Sequence, residues 1–340
     1  MIKWSDRDLQ LRQSFFRSGF CRHISSSNIY PCLSLNWTWL LCDCALNLFV
    51  PQDMASKKLV VAGGNGFLGS RICKFAVARG WTVTSLSRSG EPRWDVVTSS
   101  SQRPGWAKSV EWAKADMLKP ESYKPFLKDA SAVVHSMGIL LEADYKGVVQ
   151  GREPIISGLQ RAFSSSKRGS QNPLQRQEGE ALKAQEGDGQ FTYELMNRDS
   201  AIALAQESLN EHASTFVYIS ASSGAPILPS RYLTTKREAE TTIASQLPEL
   251  RSVFVRPPFM YDSSRKFTLP IALGGFVGSQ VNALLGNRLS FFGAMVDKPF
   301  QVDTVGEAVV EALNDPSISG PVGPRKIEAL ATKAWRNSML

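Results

Sequence analysis

The chain has 340 residues, 43% hydrophobic and 21% charged, which suits a folded protein with one or two apolar cores and excludes a disordered or fibrous one. Five cysteines are too few for a disulfide scaffold, and three scattered histidines with no Cys-x-x-Cys beside them argue against a zinc site. The 39 Lys and Arg against 31 Asp and Glu give a formal net charge of +8, yet no nucleic-acid motif accompanies these cations, so no nucleic-acid partner is expected.

Residues 1–53 differ from the rest. They hold Cys21, Cys32, Cys42 and Cys44 but none of the glycine patterning that follows. Arg7 to Ser27 is rich in Arg and Ser, and Arg22-His23-Ile24-Ser25 resembles a mitochondrial processing site, whereas Asp6 and Asp8 are foreign to a transit peptide. Tyr30 to Val50 is apolar but interrupted by Asn36, Asp43 and Asn47, which disfavours a membrane span. The segment reads as a targeting extension or as sequence upstream of a natural start at Met54. With five cations and four acids it contributes little of the charge.

Lys58 to Ala62 is a short apolar run of the kind that forms a buried parallel strand. It leads into Gly63-Gly64-Asn65-Gly66-Phe67-Leu68-Gly69, then an amphipathic helix from Ser70 to Arg79 and a second strand from Trp81 to Leu86. A glycine loop between a strand and a helix lets a pyrophosphate approach the backbone and meet the free N–H groups of the helix start. The glycines fit two spacings, G-x-G-x-x-G from Gly64 and G-x-x-G-x-x-G from Gly63, and the loop alone does not choose. Gly63, Asn65, Gly66, Phe67, Leu68 and Gly69 are candidate cofactor contacts. After the second strand stands Ser87-Arg88-Ser89, where an NAD-selective fold places an acid. Arg88 can pair with a 2′-phosphate, so NADP(H) is expected over NAD(H).

A third strand is predicted from Val110 to Ala113 and a short helix from Glu121 to Lys128. The fourth strand, Ala132 to His135, runs into Ser136-Met137-Gly138. Strand ends on this side of a doubly wound sheet face the cofactor. Asp116 and Met117 are therefore candidates for adenine, and Met137 with its neighbours for the ribose and nicotinamide. His135 reads as a half-buried strand-end residue rather than a catalyst.

Residues 164–190 lose nearly all large apolar side chains and read as a disordered surface insertion. A helix resumes at Tyr193 and carries Asn197, and Thr215 to Ser220 forms the next strand, ending in Ala221-Ser222-Ser223-Gly224. Tyr232-Leu233-Thr234-Thr235-Lys236 then opens another helix. Tyr232 and Lys236, four apart, share a helix face, where an ammonium lowers the phenol pKa toward a value usable for proton transfer.

In combining these motifs, Leu59 to Leu313 resembles a short-chain dehydrogenase/reductase of the extended or atypical type. Arg256-Pro257-Pro258 after the strand at Val253 and Phe300-Gln301-Val302-Asp303-Thr304-Val305 match later landmarks of that group. The resemblance implies that Tyr232 is the general acid/base, that Lys236 holds the nicotinamide ribose and tunes Tyr232, that Asn197 supports a proton relay, and that Pro257 lies against the cofactor. Val61 to Gly69, His135 to Gly138 and Tyr193 to Asn197 are closer still to fungal mitochondrial members linked to coenzyme Q biosynthesis, relatives of the reductase-like accessory subunit of respiratory complex I. One departure stands out: Ala221 occupies the place of the carbonyl-polarising serine, which leaves Ser222 or Ser220 to substitute. A lost donor of that kind costs roughly 10²–10³ in rate.

Leu269 to Leu285 is apolar almost throughout and suits a substrate pocket, a membrane or partner surface, or ordinary core. The sequence thus predicts an α/β fold, a doubly wound parallel Rossmann-type sheet with a small C-terminal substrate lobe. It is expected to bind NADP(H) and to act on a quinone-like or lipid substrate in mitochondria, on the matrix side and in association with the membrane. The alternative is a catalytically silent subunit of an inner-membrane complex. A sugar-nucleotide epimerase with bound NAD is disfavoured by Arg88.

Overall fold

The computed structural model describes residues 57–98, 100–139, 182, 191–222, 230–264, 268–284 and 298–339, all within one compact unit, Ala55–Leu340. The expectations for residues 1–53, for nearly all of the insertion at 164–190 and for Ser223 and Gly224 lie outside the described residues.

In chain order the strands are β1 (Lys58–Ala62), β2 (Thr82–Ser87), β3 (Val110–Lys114), β4 (Ala132–His135), β5 (Thr215–Ile219), β6 (Arg251–Val255), β7 (Met260–Tyr261), β8 (Phe300–Gln301) and β9 (Gly320–Val322). Seven of them form one sheet in the order β3-β2-β1-β4-β5-β6-β9, with every neighbour parallel. β7 and β8 pair in parallel outside it. The helices are α1 (Gly69–Ala78), α2 (Trp94–Val97), α3 (Pro120–Leu127), α4 (Ser200–Asn210), α5 (Ser230–Gln246), α6 (Thr268–Leu284), α7 (Val302–Asn314) and α8 (Pro324–Asn337).

Alternation along each strand divides the core in two. Leu59 and Val61 of β1, with Val134, Val217 and Val253, point toward α1, α7 and α8, where Ile72, Val305, Val309 and Ile327 are buried. Val60 and Ala62, with Val133, Phe216 and Tyr218, point to the other face, against Tyr123, Leu127, Ile202, Leu204 and Ile243 of α3, α4 and α5. The two helical layers make the sheet doubly wound. The chain leaves β1 in one direction to β2 and β3 and in the other to β4, so a crevice opens at the carboxyl ends of β1 and β4.

Predicted and observed strands differ by a residue or two, and the third helix runs Pro120–Leu127. A larger difference follows the insertion. The helix beginning at Tyr193 is not a regular α-helix: Glu194–Asp199 is a π-helix that passes into α4. Its wider turn carries Asn197, and such bulges concentrate at functional positions.

Candidate functional site

The loop after β1 is built by three glycines. Gly63 adopts φ +79°, a left-handed conformation that suits glycine. Its N–H donates to Leu86 O at 2.8 Å, the Gly66 N–H donates to Gly63 O at 2.9 Å, and the Ser70 N–H to Gly66 O at 3.0 Å. A Cβ on Gly69 would lie 2.2 Å from Gly63 O, so helix and loop touch backbone to backbone. Of the two spacings open in the sequence, Gly63, Gly66 and Gly69 form this loop. Gly64 lies beneath it, where a Cβ would meet Ser85 Oγ at 2.3 Å.

Beside the loop lies a cleft of about 500 Å³. Gly63 and Asn65 line it from the glycine turn, Ser87, Arg88 and Ser89 from the end of β2, Ala115 to Leu118 from the end of β3, and Met137 from the end of β4. Phe191 and Met196 close it from the segment before α4. Asn65 Nδ2 donates to Ser89 Oγ at 2.8 Å, and the exposed Arg88 guanidinium lies 5.6 Å from the Phe191 ring centroid. Glu91, the next acid along, is held by Arg103 and by the Trp94 indole. Asp116, the carboxylate of the lining, accepts the Leu118 N–H at 3.1 Å. A tight glycine cradle, hydroxyls flanking an exposed guanidinium, and an apolar end at Met117, Leu118 and Phe191 fit a nicotinamide dinucleotide.

Gly66, Phe67, Leu68 and Gly69 form the turn into α1 rather than the cleft lining. Pro257 sits past β6, where its carbonyl accepts the Ser222 N–H at 2.9 Å. Ser87, Ser89, Leu118, Phe191 and Met196 were not among the sequence candidates. Phe191 alone carried a signal, as the first aromatic after a stretch almost free of large apolar residues.

The second cluster gathers at the ends of β4 and β5. Asn197 Oδ1 accepts the Ile139 N–H at 2.9 Å while its Nδ2 donates to Ile139 O at 3.2 Å, clamping the chain just past Gly138. A Cβ on Gly138 would lie 2.9 Å from Asn197 Oδ1 and 3.6 Å from Lys236 Nζ, so both side chains converge there. Tyr218 Oη donates to Asn197 O. Lys236 Nζ donates to Ile219 O at 3.0 Å and lies 5.2 and 5.7 Å from the rings of Tyr218 and Tyr232. Tyr232 packs edge-on against Tyr193, with centroids 5.9 Å apart, and Arg231 beside it is held by Glu194.

Electrostatics correct one expectation. Lys236 does not lower the Tyr232 pKa: burial pushes that phenol up to about 12, opposed only by Arg237. Burial instead pushes Lys236 down to about 8, against the pull of Glu240. Desolvation dominates both shifts, with Lys236 buried and Tyr232 half-buried. His135 also departs from its reading as half-buried. It is fully buried and held neutral, pushed down to about 3 by burial and then by the Lys236 charge. Its Nε2 lies 3.0 Å from Ser200 Oγ, which donates to Met196 O, a structural role.

The stretch around Ala221 is engaged by Arg237. Arg237 Nη1 donates to Ser220 Oγ at 2.9 Å, and Arg237 Nη2 donates to Ala221 O at 2.7 Å and Ser222 O at 3.2 Å. Glu240, buried, binds Arg237 at 2.7 Å and also Arg256. The stretch after β5 is thereby fixed by an arginine. Among the described residues no group of His, Cys, Asp and Glu could hold a metal ion.

Residues 59–143 match the NAD dependent epimerase/dehydratase family. The chain is 34% identical over 286 residues to MIOREX complex component 2 of Saccharomyces cerevisiae, covering 78% of this chain and 96% of that protein. It is 25% identical over 296 residues to an uncharacterised chloroplastic protein of Arabidopsis thaliana, covering 84% and 80% respectively. Solved structures similar to it include UDP-glucuronic acid 4-epimerase from Bacillus cereus in complex with NAD, with 16% identity, a TM-score of 0.47, and coverage of 78% and 76%. Vestitone reductase from alfalfa gives 16% identity, a TM-score of 0.45 and the same coverage.

Proposed function

This chain belongs to the NAD dependent epimerase/dehydratase family of extended short-chain dehydrogenases/reductases, and from that premise we propose that it is an NADP(H)-dependent reductase of mitochondria. Its substrate is an apolar, quinone-like carbonyl compound, and it serves ubiquinone (coenzyme Q) biosynthesis on the matrix side. The observation that carries the reading is the convergence of Lys236 and Asn197 on Gly138, with Tyr232 on the same helix as Lys236, beside a cleft floored by the glycine loop. An organellar location is supported by the names of the two relatives, one a MIOREX complex component and one chloroplastic, and by the processing-like Arg22-His23-Ile24-Ser25. The quinone assignment draws on the resemblance to fungal members linked to coenzyme Q.

When bound, the nicotinamide cofactor supplies the hydride. The Gly63–Gly69 loop and the start of α1 would hold its pyrophosphate, Arg88 with Ser87, Ser89 and Asn65 would take the 2′-phosphate and ribose, and Met117, Leu118 and Phe191 would take the adenine. Tyr232, neutral at physiological pH, carries its proton on Oη and donates it to the substrate oxygen, which suits reduction rather than oxidation. Lys236, with a pKa of about 8, exchanges protons near neutrality and orients the nicotinamide ribose through Nζ.

Titration of the full chain with both cofactors is expected to give tighter binding of NADPH than of NADH. Arg88→Ala should weaken NADPH roughly ten- to a hundredfold, the worth of a charged hydrogen bond, and change NADH little. Tighter binding of NADH by the wild type overturns the cofactor assignment. Oxidation of NADPH with a soluble quinone should occur in the wild type and fall in Tyr232→Phe. Ala221 in the place of the carbonyl-polarising serine favours a second reading, a cofactor-bound subunit without turnover. NADPH binding with no oxidation in either protein would support that one.

A further inference from the structure

Helix α6 contains no charged residue over its 17 positions. Leu273, Phe276, Val277 and Leu284 are 66%, 45%, 54% and 85% exposed. With exposed Gln280 they fall at i, i+3, i+4, i+7 and i+11, one side of the helix. At a rise of 1.5 Å per residue this stripe is about 16 Å long. Ala272 and Asn282 are buried on the protein side. The side of α6 that carries these four apolar side chains is therefore turned to water. None of the residues lining the cofactor cleft comes from α6, so the stripe is not a wall of that cleft. A contiguous exposed patch of this kind marks an interaction surface.

Charge distribution selects the occupant. From Ser263 to Val296 there is no Asp or Glu, while Arg265 and Lys266 precede the helix and Arg288 follows it. An uncharged apolar ridge, in a stretch of sequence whose only charges are cationic, matches an anionic bilayer rather than a cationic partner. No helix among the described residues is long and apolar enough to cross a membrane, so α6 lies on the surface rather than spanning it.

We propose that α6 is a membrane-docking helix, seated through Leu273, Phe276, Val277 and Leu284 on an anionic bilayer. α6 packs against β7, which follows the carboxyl end of β6, the end of the sheet that carries the candidate site, so docking would bring that end toward the phase in which apolar substrates dissolve. The proposal is independent of the cofactor reading. Vesicle binding without NADPH binding, or the reverse, separates the two.

The test is co-sedimentation of the full chain with phosphatidylcholine vesicles, with and without phosphatidylglycerol. Binding is expected to the anionic vesicles and to weaken with salt. Phe276→Ser combined with Leu284→Gln should reduce the partition coefficient by about tenfold or more, given what each apolar side chain gains on leaving water, while the thermal midpoint stays near that of the wild type. Phe276→Trp retains binding and adds an indole reporter, whose emission should be quenched by doxyl-labelled lipid. Absence of vesicle binding, equal binding by the double variant, or no quenching of the added indole in vesicle-bound Phe276→Trp each overturns the proposal. So does a concentration-dependent dimer, in sedimentation velocity, that the double variant abolishes without altering vesicle binding.

Discussion

Gly69→Ala separates what the glycine loop does for folding from what it does for binding. The new Cβ would sit 2.2 Å from Gly63 O, 2.8 Å from Gly63 C and 2.7 Å from Ser136 Oγ. Two of these neighbours are backbone, so the loop and the start of α1 must part by about 1 Å. Overpacking of this kind costs about 1–3 kcal/mol. Alanine returns up to about 1 kcal/mol of helix propensity, leaving a net destabilisation of roughly 0–2 kcal/mol and a fall in Tm of a few degrees for a domain of this size. On the proposed cofactor reading the loss of affinity is larger, because the loop that would hold the pyrophosphate is displaced, and misplacement by about 1 Å costs on the order of a hundredfold where geometry carries the interaction. Gly80→Ala is the comparator. Gly80 has φ +77° but open space around its would-be Cβ, so that variant should lose about 1–2 kcal/mol of stability through backbone strain and keep its affinity. Thermal melting and NADPH titration by fluorescence read both quantities. Gly69→Ala binding NADPH as tightly as the wild type would refute the close-approach reasoning.

Lys236→Met should raise stability near neutral pH and flatten its pH dependence. Burial depresses the folded-state pKa from 10.5 to about 8, so between those values the unfolded chain holds the extra proton. Stability of the wild type therefore rises as pH climbs through this window, by up to about 3 kcal/mol from this group. Urea denaturation at pH 7.5 and 10 measures it, and parallel profiles for the two proteins would refute the assignment. Arg237→Met removes the donors to Ser220, Ala221 and Ser222 but leaves Glu240 paired with Arg256. A loss of about 1–3 kcal/mol and faster amide exchange at Ser220 to Ser222 are expected, and an unchanged denaturation midpoint would argue against the clamp.

Legibility in the sequence followed the range of the interactions. β1 and β4 were read to the residue because a strand buried on both faces must be apolar throughout, as Leu59 to Ala62 and Ala132 to Val134 are. The glycine loop was visible for the same reason, since turn, strand and helix are contiguous. The π-helix at Glu194–Asp199 was not visible: its apolar spacing reads as ordinary helix, and its wider turn is accompanied by packing of Asn197 against Ile139 and of Tyr218 against Asn197. The direction of the Tyr232 shift was missed because spacing on a helix face reveals a neighbouring charge but not the loss of water around both groups.

The sequence alone determined the doubly wound topology, the position of the glycine loop, and the presence of Arg88 in place of an acid at the end of β2. Each is written in local patterns of apolar runs, glycines and one charge, with a known partner in chain order. Tertiary structure decided which of two glycine spacings forms the loop, and that Phe191 closes the cleft opposite Arg88. It also decided that Arg237 immobilises the stretch where a catalytic serine is expected, and that Leu273, Phe276, Val277 and Leu284 of α6 stand exposed. These outcomes depend on which groups meet across long separations in the chain and on how much water each pair loses, quantities that no window of sequence contains.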